Sequence, residues 1–177
     1  MYKDNYQNRI DNKILLDAKE TRGVIQRILL SKFEVSVVMF TLNIPGSTKT
    51  NAVIYSVFRK VFLQFLLLCE KYGSVSFIER NLVTGPEAYV LISDKHSCYE
   101  IKRTLLSFEE NHPLGRLLDL DVICKQGIKV SRSDLGEPLR SCYLCNRPAK
   151  ICTREKNHSN GELFDYAMHE MLSYEGN

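Results

Sequence analysis

An α+β fold, a mixed sheet with helices packed over one or both faces, is what this chain predicts, on three observations. Segments of helical and of strand periodicity alternate along it. The strand candidates are short and rich in β-branched residues, and glycine or proline turns punctuate nearly every join.

Taken in order, "KILLDAKETRGVIQRILLSK" (residues 13–32) reads as a helix, with Ile14, Ala18, Ile25, Ile28 and Leu29 on one face and charges opposite. "EVSVVMFTLNI" (34–44) is a long central strand. "PGSTKTN" (45–51) breaks it and feeds the helix "AVIYSVFRKVFLQFLLLCEKY", which Gly73 ends. "VSFIERNLV" and "AYVLIS" are strands around the turn "TGPE" (84–87), and a helix follows from Ser93 or Asp94 as N-cap to about Glu110. "HPLG" stops that helix, "RLLDLDVIC" is the next strand, and "KQG" turns it into "IKVS". Residues 13–131 are expected to form an α+β catalytic domain. Residues 132–177 are expected to supply a linker, a small C-terminal Cys/His module and a terminal helix packed on the same domain.

Composition narrows the function classes. With 177 residues, 44% hydrophobic, the chain can bury a full core. A net charge of +3 suits an acidic or phosphorylated partner but falls short of a nucleic-acid footprint. The polar N-terminus "MYKDNYQNRIDNK" carries no apolar signal region, and "VFLQFLLLC" (61–69) is far below spanning length, so a cytoplasmic protein is expected, with no membrane partner. In that compartment Cys69, Cys98 and Cys124, which are scattered, read as buried thiols.

"HPLGRLLDLDV" (112–122) poses the functional question, because aspartate is depleted in strands and costly to bury. Residues i and i+2 of a strand share a face, so Asp119 and Asp121 project together with Leu117 and Ile123. Leu118, Leu120 and Val122 face the core. Two carboxylates roughly 7 Å apart, from the strand rise, can hold one or two Mg²⁺ ions against phosphate oxygens. Gly115 would let a phosphate approach the backbone, and Arg116 would pair with it. This G-R-x-x-D-x-D pattern resembles the active-site strand of nucleotidyltransferases. The alternative is an exposed strand face meeting water.

"CYLCNRPAKICTREKNH" spaces Cys142, Cys145, Cys152 and His158 as C-x2-C-x6-C-x5-H, the donor set of a closed, structural Zn²⁺ site. The alternative is four unliganded side chains. Ser159 and Glu162 then form a capping box that opens the last helix. His96 and His169 read as ordinary packing or surface residues.

Five blocks, "LLDAKETR" (15–22), "FTLNIPGSTKTN" (40–51), "TGPEAYVL" (84–91), "HPLGRLLDLDV" and "CYLCNRPAKICTREKNHS" (142–159), resemble in order the apo-citrate lyase phosphoribosyl-dephospho-CoA transferase (holo-citrate lyase synthase, CitX-type) family. The resemblance implies a nucleotidyltransferase-like fold and a transfer of the 2′-(5″-triphosphoribosyl)-3′-dephospho-CoA prosthetic group. The acceptor it implies is a serine of the apo acyl carrier (gamma) subunit of citrate lyase, with release of pyrophosphate. It makes Asp119 and Asp121 the Mg²⁺ ligands and Lys49, with Gly46 in the loop before it, a binder of the triphosphate. Glu87 becomes a third ligand or the base for the serine hydroxyl. His112 contacts phosphate or, the preferred reading, caps the helix before it. Arg147, Lys150, Arg154 and Lys156 make a docking patch for an acidic carrier. Two alternatives stay open: the same transfer to the malonate decarboxylase carrier, and a non-catalytic zinc-bearing binding module.

Overall fold

The computed structural model describes residues 10–73, 75–93 and 95–176, so Asp94 and the first nine residues of the polar N-terminus lie outside the described residues. Five helices, α1 (Asn12–Phe33), α2 (Ala52–Cys69), α3 (Cys98–Asn111), α4 (Ala149–Arg154) and α5 (Asn160–Glu175), surround a single sheet. Its strands are β1 (Ser36–Leu42), β2 (Ser76–Leu82), β3 (Gly85–Ile92), β4 (Leu118–Ile123) and β5 (Lys129–Val130).

The sheet is antiparallel throughout, in the order β2-β3-β1-β4-β5, and not mixed as the helix–strand alternation suggests. The reason lies in the crossovers. α2 connects β1 to β2 and α3 connects β3 to β4, and each pair of strands runs in one direction. Each crossover skips a place, however, and an antiparallel strand fills the gap: β3 between β1 and β2, β1 between β3 and β4.

One face of the sheet carries the main core. Val38 and Phe40 of β1, Ala88, Val90 and Ile92 of β3, and Leu118, Leu120 and Val122 of β4 pack against α2, α3 and α5. Phe40 lies at its centre, with ring centroids of Phe58, Phe62 and Phe65 at 5.3, 5.3 and 5.2 Å. Those three α2 residues recur at three and four, the spacing that keeps one helix face inward. The helical stretch Ala52–Tyr72 has 21 residues of mean hydropathy 1.7, long and apolar enough to span a bilayer, which the shorter run 61–69 alone does not suggest. Eight of its residues, Ile54 to Tyr72, are buried in the protein core instead.

Among the described residues, α1 packs over the second face. Leu29 and Leu30 sit on Val37, Met39, Tyr89 and Ile123, with Ile25 beside them. Ile14 and Ile28 are exposed, contrary to the five-residue apolar face expected: the face of α1 turned to the sheet runs through Ile25, Leu29 and Leu30, and Ile28 points off it.

Three local expectations also shift. Gly85, Pro86 and Glu87 belong to β3, since a two-residue turn at Val83 and Thr84 suffices to join it to β2, with Gly85 at a φ of 109°. Leu117 enters the main core from the short 3-10 turn Gly115–Leu117, because the strand starts one residue later. The cap of α3 is Ser97, four residues beyond Ser93: its hydroxyl accepts from Tyr99 N–H while Glu100 accepts from Ser97 N–H at 3.1 Å. Ser97→Ala should cost about 1 kcal/mol, read as a lower denaturation midpoint with an unchanged slope.

Of the scattered cysteines, Cys69 is a buried thiol whose pKa burial pushes up to about 12. Cys98 and Cys124 are instead paired as a disulfide, a correction to the expected free thiols. The N-terminus of α3 packs at the far end of β4, which brings their Cα atoms to 5.8 Å. Residues 131–140 do more than link. Arg132 and Arg140 both reach back to Glu109 of α3, at 3.2 and 2.5 Å. Glu109 in turn accepts from Leu120 N–H, and Lys102 donates to Leu120 C=O, so α3 grips β4 through polar as well as apolar contacts.

Candidate functional site

Register places the aspartates in company. Asp119 of β4 lies opposite Thr41 of β1, Thr41 opposite Glu87 of β3, and Glu87 opposite Arg80 of β2. Directly opposed residues of antiparallel strands share a face, so all four project on the side of α1. Asp121 stands one step along, in a row with Met39, Tyr89 and Ile78. The alternation of β4 thus sends Leu118, Leu120 and Val122 into the main core and both carboxylates to the thinly covered face. With strands about 4.8 Å apart, Asp119 and Glu87 have Cα atoms about 10 Å apart.

The two aspartates differ in surroundings. Asp121 pairs with Lys129 of β5 at 2.5 Å. Asp119 is half-buried, and its carboxylate accepts no hydrogen bond among the described residues. Burial first, then repulsion from Asp121, raises its pKa above the ordinary aspartate value, while Arg140, Lys129 and Lys102 pull it down. It is an electrostatically under-compensated carboxylate beside a second one, which is what a cation site needs before the cation arrives.

Glu87 is fully buried and both its oxygens are engaged. Arg22 of α1 donates to Oε2 at 2.6 Å, while Arg80 at 3.2 Å and the Tyr89 hydroxyl at 3.0 Å address Oε1. Sequence reasoning makes it a metal ligand or base. In the structure it joins α1, β2 and β3 through Arg22, Arg80 and Tyr89. Glu87→Gln should cost about 2–3 kcal/mol by leaving two arginines with half a partner. A fall in melting temperature with α1 loosened in hydrogen exchange checks this.

A cavity of about 260 Å³ opens beside this row, between the loop after β1, the turn before β4 and the start of α5. Lys49, Arg116, Arg140 and Lys156 line it, with Asn43, Tyr143 and His158. Arg116 donates to Ser141 C=O and lies 5.7 Å from the Tyr143 ring centroid. Lys49 donates to Ile44 C=O, and its pKa is lowered by burial and then by Arg22. Gly46 takes a left-handed φ of 76° in the same loop, near Asn160 at the start of α5. Gly115 has a packing reason to be glycine: a Cβ there would overlap the Glu109 carbonyl.

Cys142, Cys145, Cys152 and His158 converge, with their ligand atoms all within 4.8 Å of one another. Cys142 precedes the bend closed by its own N–H to Arg147 C=O at 2.7 Å, Cys152 rides on α4, and His158 precedes the α5 cap. The capping box of Ser159 and Glu162 is formed as its spacing predicts. His158 Nε2 is buried without a hydrogen-bond partner. Three thiols and an orphaned imidazole nitrogen at that spacing fit a tetrahedral metal ion.

The docking patch is exposed, but Arg147 is paired with Glu155 at 2.7 Å. His112 lies elsewhere: its N–H closes α3, its Nδ1 accepts from Leu114 N–H, and its ring meets Gln64 and Tyr174, so it is the cap. The residues that sequence reasoning passes over are Arg22, Thr41, Arg80, Lys129 and Arg140. Arg22, which closes the "LLDAKETR" block, and Thr41, second in "FTLNIPGSTKTN", carried a signal; the rest reach the site through register or through a return of the chain.

Comparison with known proteins bears on the family. The family model described as apo-citrate lyase phosphoribosyl-dephospho-CoA transferase matches residues 10–174. The chain is 40% identical over 147 residues to a "Probable apo-citrate lyase phosphoribosyl-dephospho-CoA transferase" of Vibrio cholerae serotype O1 (strain M66-2), covering 82% of each chain. It is 33% identical over 153 residues to the "Apo-citrate lyase phosphoribosyl-dephospho-CoA transferase" of Escherichia coli O139:H28, covering 85% of this chain and 82% of that one. It is also 37% identical over 164 residues to "Protein CitXG" of Leuconostoc mesenteroides subsp. cremoris, of which it covers 33%.

Proposed function

This chain belongs to the apo-citrate lyase phosphoribosyl-dephospho-CoA transferase family, and from that premise we propose that it transfers the triphosphoribosyl-dephospho-CoA prosthetic group to a serine of the citrate lyase acyl carrier subunit, with loss of pyrophosphate. The observation that carries the proposal is the pair Asp119 and Asp121, set on one rigid sheet face beside a cavity lined by four cations. We further propose that the fold is of nucleotidyltransferase type and that the reaction takes place in the cytoplasm, where a coenzyme A derivative is at hand.

In this mechanism the serine oxygen bonds to the phosphorus next to the ribose, the bond from that phosphorus to pyrophosphate breaks, and the hydroxyl proton is lost to solvent. Mg²⁺, bound by Asp119 and Asp121, would supply Lewis-acid neutralisation of the phosphate charge. The chain's own part is positioning and electrostatics. Arg116, Lys49 and the Gly46 loop hold donor phosphates, and Arg140 ties the cavity to the Asp119 strand by donating to Leu118 C=O at 2.6 Å. Glu87 acts by fixing Arg22 and Arg80 at the edge of the site. The Cys142, Cys145, Cys152 and His158 cluster holds a structural Zn²⁺, and Lys150 and Arg154 beside it face the carrier.

The test is intact mass of the apo carrier subunit after incubation with this protein, the triphosphoribosyl donor and Mg²⁺, with an EDTA-treated sample alongside. A gain equal to donor minus pyrophosphate, absent with EDTA, is the expected result. No gain would overturn the proposal, and a gain on the malonate decarboxylase carrier alone would move the acceptor.

A further inference from the structure

We infer that the cavity between residues 43–49, Arg116 and the Cys/His module is a pyrophosphate subsite, which receives the outer two phosphates of the donor and holds them as they leave. The inference rests on the transferase reading and assigns a separate place to the leaving group.

Its walls choose the ligand. Four cations line it and, among the described residues, no carboxylate does. Arg140 is paired with Glu109, but Lys49, Arg116 and Lys156 have no carboxylate partner among the described residues, and like charges so gathered are unfavourable until an anion enters. Arg116 is pre-set for that anion: one edge of its guanidinium is fixed on Ser141 C=O and its plane lies near Tyr143, which leaves the other edge for phosphate oxygens. Lys156 is exposed at the rim and has no ion-pair partner among the described residues. The lowered pKa of Lys49, from burial and from Arg22, marks an ammonium short of negative charge.

Size excludes the rest of the donor. At about 260 Å³ the cavity is below the range of roughly 300–1,000 Å³ that accommodates drug-sized ligands, so it suits a small polyanion and not a nucleotide with a pantetheine arm. Position adds the link to chemistry. Arg140 lines the cavity and also lowers the pKa of Asp119, so the subsite and the aspartate pair lie within electrostatic reach of each other. Bond cleavage at the aspartates would therefore release pyrophosphate directly among the cations, which stabilise the charge that develops on it.

The experiment is calorimetric titration of sodium pyrophosphate, inorganic phosphate and 3′-dephospho-CoA into the metal-loaded wild type and into the Arg116→Gln/Lys156→Gln variant. Both residues are exposed, so the variant's melting temperature should match the wild type's. The expected result is one pyrophosphate per chain, bound more tightly than phosphate, and a loss of at least about tenfold in the variant. Dephospho-CoA affinity should be unchanged. Equal pyrophosphate affinity in the two proteins, no binding to the wild type, or a loss of dephospho-CoA affinity equal to that of pyrophosphate would each overturn the subsite. Because no carrier is present, this outcome is independent of the loading assay. Loading with an unaltered variant affinity would leave the transferase and remove the subsite; the converse would leave a polyphosphate site without the transferase.

Discussion

A chain carrying Asp119→Asn and Asp121→Asn is expected to load the carrier at least about 10³-fold more slowly than wild type, because both groups that hold the cation against the donor are gone. Stability should not follow activity down. Asp121 forfeits an ion pair with the exposed Lys129, worth at most about 1 kcal/mol. Asp119 forfeits nothing of the kind, since its carboxylate accepts no hydrogen bond among the described residues and is disfavoured by burial and by Asp121. The single variant Asp119→Asn should therefore melt at or slightly above the wild-type temperature in metal-free buffer at neutral pH.

The pH dependence carries a definite sign. The folded pKa of Asp119 lies above its ordinary value of 3.8, so the folded protein binds that proton more tightly than the unfolded chain does. The carboxylate's penalty is absent below the ordinary value and present once pH rises through the folded one. The advantage of Asp119→Asn should thus be greatest at neutral pH and vanish in the acid range. Melting curves of the two proteins across that range measure it. An Asn variant that is less stable at neutral pH would show that Asp119 has a compensating partner.

The second large effect concerns Cys152→Ser. It is expected to lose the bound zinc and to destabilise the protein by about 3–5 kcal/mol, in proportion to the share of metal-binding energy that folding uses. The module has little else to order it. α4 has six residues, too few to persist alone, and a single bridge joins Ser141 to Pro148. Its contacts with the rest include Tyr143 Oη to Asn43 C=O at 2.8 Å, the stack of Tyr143 on Tyr166, and the hydrogen bond from Arg116 to Ser141 C=O. Elemental analysis should find one zinc per wild-type chain. Wild type free of zinc, with Cys152→Ser melting at the same temperature, would refute the metal assignment. The buried Nε2 of His158 would then need another partner.

Much of the molecule is local and so is legible in residue order. Helix α1 is expected at 13–32 and found at Asn12–Phe33, and α2 and the α5 capping box follow their patterns, because periodicity and cap chemistry act over three or four residues. The Cys/His cluster is equally legible, since its four ligands lie within 17 residues of sequence. The shared face of Asp119 and Asp121 needs nothing beyond the strand's period of two.

What residue order leaves open is set by partners far along the chain. Whether the β4 aspartates meet water or a site depends on β1 and β3 standing beside them, and on how α1 covers that face. Glu87 reads as a turn acid until β3 is found to begin at Gly85, which buries it between Arg22 and Arg80, 65 residues behind and seven before. Arg140 looks like linker until the chain folds back on Glu109. Local sequence encodes spacing and face, because backbone geometry repeats over a few residues. It does not encode which faces meet, because burial and charge pairing are decided only when segments distant in sequence compete for the same core and the same counter-charges.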